Sequence, residues 1–297
     1  MASLRKTPWN IWLLAARPKT LPAAVVPVLL GTAVAVHEGG FRLVPALICL
    51  VFALLIQIGT NYANDYFDYR QGADTDKRVG PVRAVASGLV APQTMWRATM
   101  IVLGAAFLIG LSLVFYGGWW LVAVGVLSIL CAIAYTGGPY PLGYNGLGDI
   151  FVFIFFGLVA VMFTAYVQTG EFSWAAFWAG TGCGLLSVNL LVVNNARDIE
   201  TDREAGKRTL PVRFGYRYAV IQYVASALVA YAMPDLLMRT GYSGWVLLPL
   251  LTLPFAAFLC VAMTRAHRPR DFHWLLARTA QLLLFYGLLM TLGILLG

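Results

Sequence analysis

Charge is what this 297-residue chain has least of: only 11% of its residues are Asp, Glu, Lys or Arg. A soluble domain carries about 25%. The scarcity excludes an ordinary soluble enzyme and a disordered chain, and it excludes a nucleic-acid partner despite the formal net charge of +8. Histidine and cysteine are also rare, at three and four residues. Cys49, Cys131, Cys183 and Cys260 sit inside apolar runs without C-x-x-C spacing, which argues against a disulfide framework and leaves buried packing. His37, His267 and His273 fall at the ends of such runs and read as interfacial residues. The first basic and apolar stretch lacks a small-residue cleavage site, so no cleavable signal peptide is expected.

What is abundant is apolar: 60% of residues are hydrophobic, and the mean hydropathy is +0.76. A membrane-spanning helix needs about 20 mostly apolar residues. No charge occurs in residues 20–36, 43–64, 98–148, 150–170, 172–196, 218–234, 240–264 or 279–297. Gly117-Gly118 divides the longest run in two. The expectation is an all-α polytopic membrane protein, a bundle of nine transmembrane helices. They fall near 12–36, 43–65, 95–115, 119–136, 148–168, 173–196, 216–237, 243–264 and 273–296. Pro18, Pro22 and Pro27 break the first near its start, which a membrane helix tolerates when neighbours satisfy the freed carbonyls. Residues 1–297 are expected to form a single integral-membrane domain.

Basic residues are retained on the cytoplasmic side of a membrane. With nine spans, 19 of the 21 Lys and Arg residues fall on one side, and only Arg42 and Arg239 lie opposite. The N-terminus is therefore expected in the cytoplasm and the C-terminus across the membrane. Trp9, Trp12, Trp119 and Trp120 suit the interfacial aromatic belt.

Topology explains the basic loops but does not require acids, yet ten of thirteen share that side and eight fall in two clusters. Asn61, Asn64, Asp65, Asp68, Asp74 and Asp76 close the second span. Asn194, Asn195, Asp198, Glu200, Asp202 and Glu204 close the sixth. Asn64 to Asn194 and Asp68 to Asp198 are each 130 residues apart, although no wider repeat is visible. Asn64 and Asp68 share one helix face, as do Asn194, Asp198 and Asp202, each four residues apart. Stacked acids repel, so something cationic must compensate. Carboxylates with amide oxygens and no imidazole or thiolate suit Mg²⁺, which binds through one or two carboxylates and substrate phosphate oxygens. Interleaved Arg and Lys suit the phosphate itself. The alternative is a solvated, salt-bridged loop.

These residues resemble the UbiA-type intramembrane aromatic prenyltransferases, whose nine-helix bundle carries two Asp-rich motifs after helices two and six. Asn64-Asp65-Tyr66-Phe67-Asp68 resembles the first motif. Asn194-Asn195-Ala196-Arg197-Asp198-Ile199-Glu200-Thr201-Asp202, followed by Gly206-Lys207-Arg208-Thr209, resembles the second. Arg17-Pro18-Lys19-Thr20 fits the opening of the first span. Asp68-Tyr69-Arg70-Gln71-Gly72-Ala73-Asp74, Arg78-Val79-Gly80-Pro81, Ser87-Gly88-Leu89 and the run from Tyr135-Thr136-Gly137-Gly138-Pro139 to Gly143 are similar to the menaquinone branch, whose acceptor is 1,4-dihydroxy-2-naphthoate. Two departures stand out. The usual last acid of the first motif is replaced by Gly72, leaving Asp74, the preferred candidate, or Asp76 to complete it. Asn194 stands where many members have Asp. The loop from Tyr135 to Asp149 also lacks the basic residue common in the 4-hydroxybenzoate branch.

The resemblance implies a Mg²⁺-dependent polyprenyltransferase of the bacterial cytoplasmic (inner) membrane, taking a polyprenyl diphosphate and 1,4-dihydroxy-2-naphthoate and releasing diphosphate and CO2 to give demethylmenaquinol. It implies Asn64, Asp68, Asp74, Asn194, Asp198 and Asp202 as metal ligands, with Asp68, Asp198 and Asp202 central to catalysis. Arg83, Lys207 and Arg208, then Arg17 and Lys19, would clamp the diphosphate, with Tyr135 a hydroxyl donor. Phe151, Phe153, Phe155 and Phe156 either line an isoprenoid tunnel open to membrane lipid or simply pack. Tyr144 to Gly148 reads as a connector, and Asp149 as a helix cap or an acceptor-orienting group. Competing readings are a related prenyltransferase with a 4-hydroxybenzoate or tetrapyrrole acceptor, and a secondary transporter, whose polar residues usually lie near the midplane.

Overall fold

A computed structural model describes residues 8–74, 80 and 82–297, with Pro8 in backbone only; Asp76, like Arg78, lies outside the described residues. Within them the chain is helical, in twelve segments besides a three-residue 3₁₀ turn at Pro18–Thr20. These are α1 (Pro8–Ala16), α2 (Pro22–His37), α3 (Leu43–Arg70), α4 (Pro92–Gly117), α5 (Leu121–Ala134), α6 (Gly148–Thr169), α7 (Trp174–Arg197), α8 (Ile199–Glu204), α9 (Leu210–Phe214), α10 (Tyr216–Met238), α11 (Gly244–Arg265) and α12 (Pro269–Leu296). The outer faces carry large exposed apolar side chains such as Ile101, Leu108, Phe115, Leu228 and Leu251, as lipid solvation allows.

The count of nine spans needs correction. Among the described residues seven helices (α3, α4, α6, α7, α10, α11 and α12) are long and apolar enough to cross a membrane. The first expected span is a broken one: residues Trp9–Thr20 and Pro22–His37 meet at 53°. Arg17 adopts a left-handed φ of 52° at the break, and Pro18 and Pro22 begin the segments that follow. The expected span at 119–136 is α5, with only 14 residues. It starts after the extended, positive-φ Gly118, and its C-terminal side runs into Gly138 at φ 83° with Pro139 and Pro141, which forbid further helix.

α7 is the buried axis of the bundle, its interior built from Ala175, Ala176, Ala179, Gly180, Gly182, Cys183 and Gly184. Small residues let membrane helices approach closely. At Gly184 an added Cβ would lie 2.9 Å from the Gly157 Cα on α6. The same part of α6 is wound as a π-helix over Phe153–Val159, a form found mostly as single-turn bulges near functional sites. Buried hydroxyls are satisfied across helices: Tyr223 pairs with Thr279 at 2.9 Å, and Tyr286 donates to the Ala230 carbonyl at 2.8 Å.

The ends of α3 and α7 come together at one end of the bundle. Both approach the same cavity, walled by α2, α3, α4, α5, α6 and α7. α5 packs on α3 and α4 and presents Leu121, Val124, Gly125, Ser128, Cys131 and Ala132 to that cavity along its whole length.

Candidate active site

The two acid motifs end in the same backbone device. After α3, Gly72 has φ 67°, and the Ala73 N–H bonds back to the Asp68 carbonyl at 2.9 Å. After α8, Gly206 has φ 73°, and the Lys207 N–H bonds back to the Asp202 carbonyl at 2.8 Å. These are glycine C-caps, positions where a left-handed residue ends the helix and reverses the chain. Backbone geometry therefore matches Asp68 with Asp202, rather than with Asp198 as the 130-residue spacing suggested. It also explains Gly72 in the first motif: the helix stops there, and the next acid is Asp74.

The turns fold cations back over the carboxylates. Lys207 Nζ lies 3.2 Å from Asp68 Oδ1 and 3.7 Å from Asp202 Oδ1, so one ammonium joins the two motifs. Arg83 Nη2 lies 2.5 Å from Asp68 Oδ2, and its Nε is 3.5 Å from Asp74 Oδ1. Asp198 is gripped in bidentate fashion by Arg197, Nε to Oδ1 at 2.7 Å and Nη2 to Oδ2 at 2.6 Å. Both guanidiniums are buried, and the Nη1 atoms of Arg83 and Arg197 have no hydrogen-bond partner among the described residues. Buried donors are nearly always satisfied. Two such donors beside a cavity are ready for an anion.

The loop after α5 closes over this cluster. The Tyr144 hydroxyl donates to Asp68 Oδ1 at 2.7 Å, and Lys207 Nζ sits 4.5 Å from the Tyr144 ring centre. Burial first, then the Asp68 charge and this hydrogen bond, raises the Tyr144 phenol above its ordinary value. The Thr136 hydroxyl donates to Asn64 Oδ1 at 2.8 Å, and Gln71 Nε2 donates to the Thr136 carbonyl at 2.8 Å. On the far side the Arg208 N–H donates to the Tyr144 carbonyl at 2.6 Å.

The cavity has a volume of about 620 Å³. Its polar end carries Arg17, Lys19, Asn64, Asp68, Arg83, Tyr135, Asn194, Asp198, Asp202 and Lys207, together with Tyr144 and Arg197. Its remainder is apolar, with Phe52, Phe107, Phe151, Phe155, Phe156 and Phe163. Three of the four expected tunnel phenylalanines line it, whereas Phe153 packs into the core beside α7. Arg208 is not brought in. Its side chain is exposed and lines a shallow surface depression with Gln71, Gly138 and Asn145. Asp74 is buried and reaches the site through Arg83. Asp149 lies in the first turn of α6, whose N-cap is Leu147, and it accepts from Gln222 Nε2 at 3.0 Å.

Tyr144 and Arg197 were missed. Arg197 was detectable from its place inside the second motif. Tyr144 falls in a stretch that reads in sequence as a connector, since nothing local distinguishes it from other loop tyrosines. All four cysteines are free, and they lie within the apolar helices α3, α5, α7 and α11, as expected.

The donor set fits a hard divalent cation. Carboxylates and amide oxygens supply it, and among the described residues no imidazole or thiolate lines the polar end. Among the described residues no three acidic, His or Cys side chains form a ready-made cage. Mg²⁺ does not need one, because it keeps waters and substrate phosphate oxygens beside one or two carboxylates.

The chain matches the UbiA prenyltransferase family over residues 24–289. It is 42% identical to a Mycobacterium tuberculosis protein named 1,4-dihydroxy-2-naphthoate octaprenyltransferase, over 82% of this chain and 83% of that one. It is 40% identical to the Escherichia coli K12 protein of the same name, over 96% and 95%. Its fold is similar to a UbiA homologue from Archaeoglobus fulgidus bound to DMAPP and Mg²⁺, with a TM-score of 0.66, 14% identity and coverage of 94% of this chain and 98% of that one.

Proposed function

Because the chain belongs to the UbiA prenyltransferase family, we propose that it transfers a polyprenyl group from a polyprenyl diphosphate to 1,4-dihydroxy-2-naphthoate. Diphosphate and CO2 are released, and the product is demethylmenaquinol. The observation that carries the reading is the pair of buried guanidinium donors without a hydrogen-bond partner among the described residues, Arg83 Nη1 and Arg197 Nη1, at the polar end of an apolar cavity. The acceptor is taken from the names of the relatives at 40–42% identity and agrees with the absence of a basic side chain from Tyr135 to Gly148.

The bond that breaks joins the allylic carbon to a diphosphate oxygen, and its electron pair leaves on the diphosphate. Asp68, Asp198 and Asp202, with Asn64, Asn194 and Asp74, would hold Mg²⁺. The chemistry supplied by Mg²⁺ when bound is neutralisation of the charge that grows on the leaving group. Arg83, Arg197 and Lys207 donate to diphosphate oxygens, and do so from a buried, preorganised position where such donors count most. Arg17 and Lys19 reach the same cavity from the α1–α2 break. Tyr144 holds its proton and fixes Asp68. Tyr135 lines the wall where the acceptor ring meets the allylic cation. A carbon–carbon bond then forms at the ring carbon that bears the carboxylate, and loss of CO2 returns its electron pair to the ring.

The polyprenyl tail lies along the Phe-lined cavity in contact with lipid. Residues 1–297 act as one integral-membrane domain of a bacterial inner membrane. With the broken first span and the short α5 each counted as one crossing, the excess of Lys and Arg on one side supports an N-terminus and active site facing the cytoplasm and a C-terminus on the opposite side.

The test is direct. Purified protein supplied with Mg²⁺, 1,4-dihydroxy-2-naphthoate and a radiolabelled polyprenyl diphosphate is expected to form a lipid-soluble quinol. Asp68→Asn and Asp198→Asn are expected to fold and insert but not turn over. Product with 4-hydroxybenzoate and none with the naphthoate overturns the acceptor assignment. Undiminished activity in excess EDTA overturns the metal.

A further inference from the structure

Asp65 is the acid of the first motif for which the proposed chemistry has no use. Asn61, Asn64 and Asp68 line the cavity from α3, and Asp65 does not. It is 1% exposed. Its Oδ2 accepts the Ala84 N–H at 2.9 Å, and its Oδ1 accepts the Val85 N–H at 3.1 Å. Those amides belong to the two residues directly after Arg83. The turn they open is tied back on itself: the Ser87 N–H and hydroxyl both donate to the Arg83 carbonyl, at 3.1 and 2.5 Å, and the Leu89 N–H donates to the Ala84 carbonyl at 2.9 Å. Ala84 and Val85 are buried in a small apolar cluster with Tyr62, Val90 and Met95.

A buried carboxylate that accepts two backbone N–H bonds is a strong, charge-assisted anchor. Here the anchor stands one helical turn from Asp68, the residue that the Arg83 guanidinium grips. One helix therefore fixes Arg83 at both ends: Asp65 fixes the backbone that follows it, and Asp68 receives its side chain. Arginine has several rotatable bonds, and a guanidinium aimed at a diphosphate oxygen keeps its aim only when its backbone is held.

We infer that Asp65 is a positioning residue for the diphosphate clamp, acting through the 83–90 turn on Arg83 and contributing no metal ligand. The inference rests on the proposed diphosphate site.

Asp65→Asn retains one acceptor oxygen and sets an NH2 group against a backbone N–H. The expected result is a fall in kcat/KM for the prenyl diphosphate of about 100-fold, the scale on which a misplaced binding group acts. It appears as a raised KM for that substrate, with an unchanged acceptor KM and an unchanged Mg²⁺ half-saturation at saturating diphosphate. The double variant Asp65→Asn/Arg83→Ala is expected to be no worse than Arg83→Ala alone, as coupling through one residue requires. Calorimetric binding of inorganic diphosphate, at saturating Mg²⁺, to the detergent-purified full chain should weaken in both single variants. Ser87→Ala, at an exposed site on the other side of the turn, gives a milder rise in the same KM and serves if Asp65→Asn does not fold.

A shifted Mg²⁺ half-saturation with an unchanged diphosphate KM makes Asp65 a ligand and overturns the inference. Additive losses in the double variant, or an unchanged diphosphate KM in Ser87→Ala, overturn it as well. If Arg83→Ala alone leaves the diphosphate KM unchanged, the diphosphate site itself is misplaced, which is a separate failure.

Discussion

The Tyr144 hydroxyl donates to the Asp68 carboxylate at 2.7 Å across 76 residues of sequence. A loop read as a connector thus rests directly on the first acid motif. A hydrogen bond to a charged group is worth about 1.5–3 kcal/mol. Tyr144→Phe is expected to lower kcat/KM for the prenyl diphosphate by about 10- to 100-fold, measured in the radiolabel assay, while the protein stays folded.

The same contact has a pH signature. Burial and the Asp68 charge raise the Tyr144 pKa above its ordinary value, which is near 10. The neutral phenol is the favoured form, so the donor proton is kept up to the raised value and is lost only as pH rises past it. The pH–rate profile should therefore show no alkaline limb from Tyr144 below about pH 10. A limb near pH 9 that disappears in Tyr144→Phe contradicts this.

Arg197 and Asp198 form a bidentate pair with side chains 3% and 18% exposed. Lysine is a point charge and cannot make two parallel bonds to one carboxylate. Arg197→Lys is expected to fold and to lose at least about 10-fold in kcat/KM, the scale of one hydrogen bond to a charge. Arg197→Ala is expected to lose more and to melt lower, because a partly buried Asp198 is left without its partner. Wild-type kinetics in Arg197→Lys count against a role for the fork.

Gly184→Val tests the α6–α7 contact. The added Cβ meets the Gly157 Cα and the Phe153 carbonyl, each at 2.9 Å, and overpacking costs about 1–3 kcal/mol. A lower melting temperature in detergent is the expected outcome. Gly104 on α4 has no atom within 4 Å of a built Cβ, so Gly104→Ala should be neutral or stabilising, since Ala is the better helix former.

Gly125 lines the apolar part of the cavity, and a Cβ built there meets nothing within 4 Å. Gly125→Phe should fold and occupy the tail path. Turnover with long polyprenyl diphosphates is expected to fall while turnover with geranyl diphosphate is kept. Equal losses for both lengths place the tail elsewhere.

The long apolar spans and both acid motifs were legible because they are local: charge-free runs and four-residue spacings need no tertiary knowledge. The length of α5 was not, since the run from 98 to 148 has no charge to mark its ends and only the Gly118 and Gly138 backbone turns set them. Lys207 and Arg208 are adjacent and chemically alike, yet the glycine turn at Gly206 sends one into the cavity and leaves the other outside. Asp65 and Asp68 are equally acidic in the sequence. Helix phase separates them, one toward the cavity and one toward the 83–90 turn.

The shortness of α5 has a consequence for the surrounding bilayer. Fourteen residues at about 1.5 Å each rise roughly 21 Å, against a hydrocarbon core of about 30 Å. A short segment is accommodated by local thinning of the bilayer. α5 also walls the cavity along its length, so the hydrophobic mismatch falls on the flank beside the apolar chamber. Thinning on that flank would lower the barrier for a long isoprenoid to pass between chamber and leaflet.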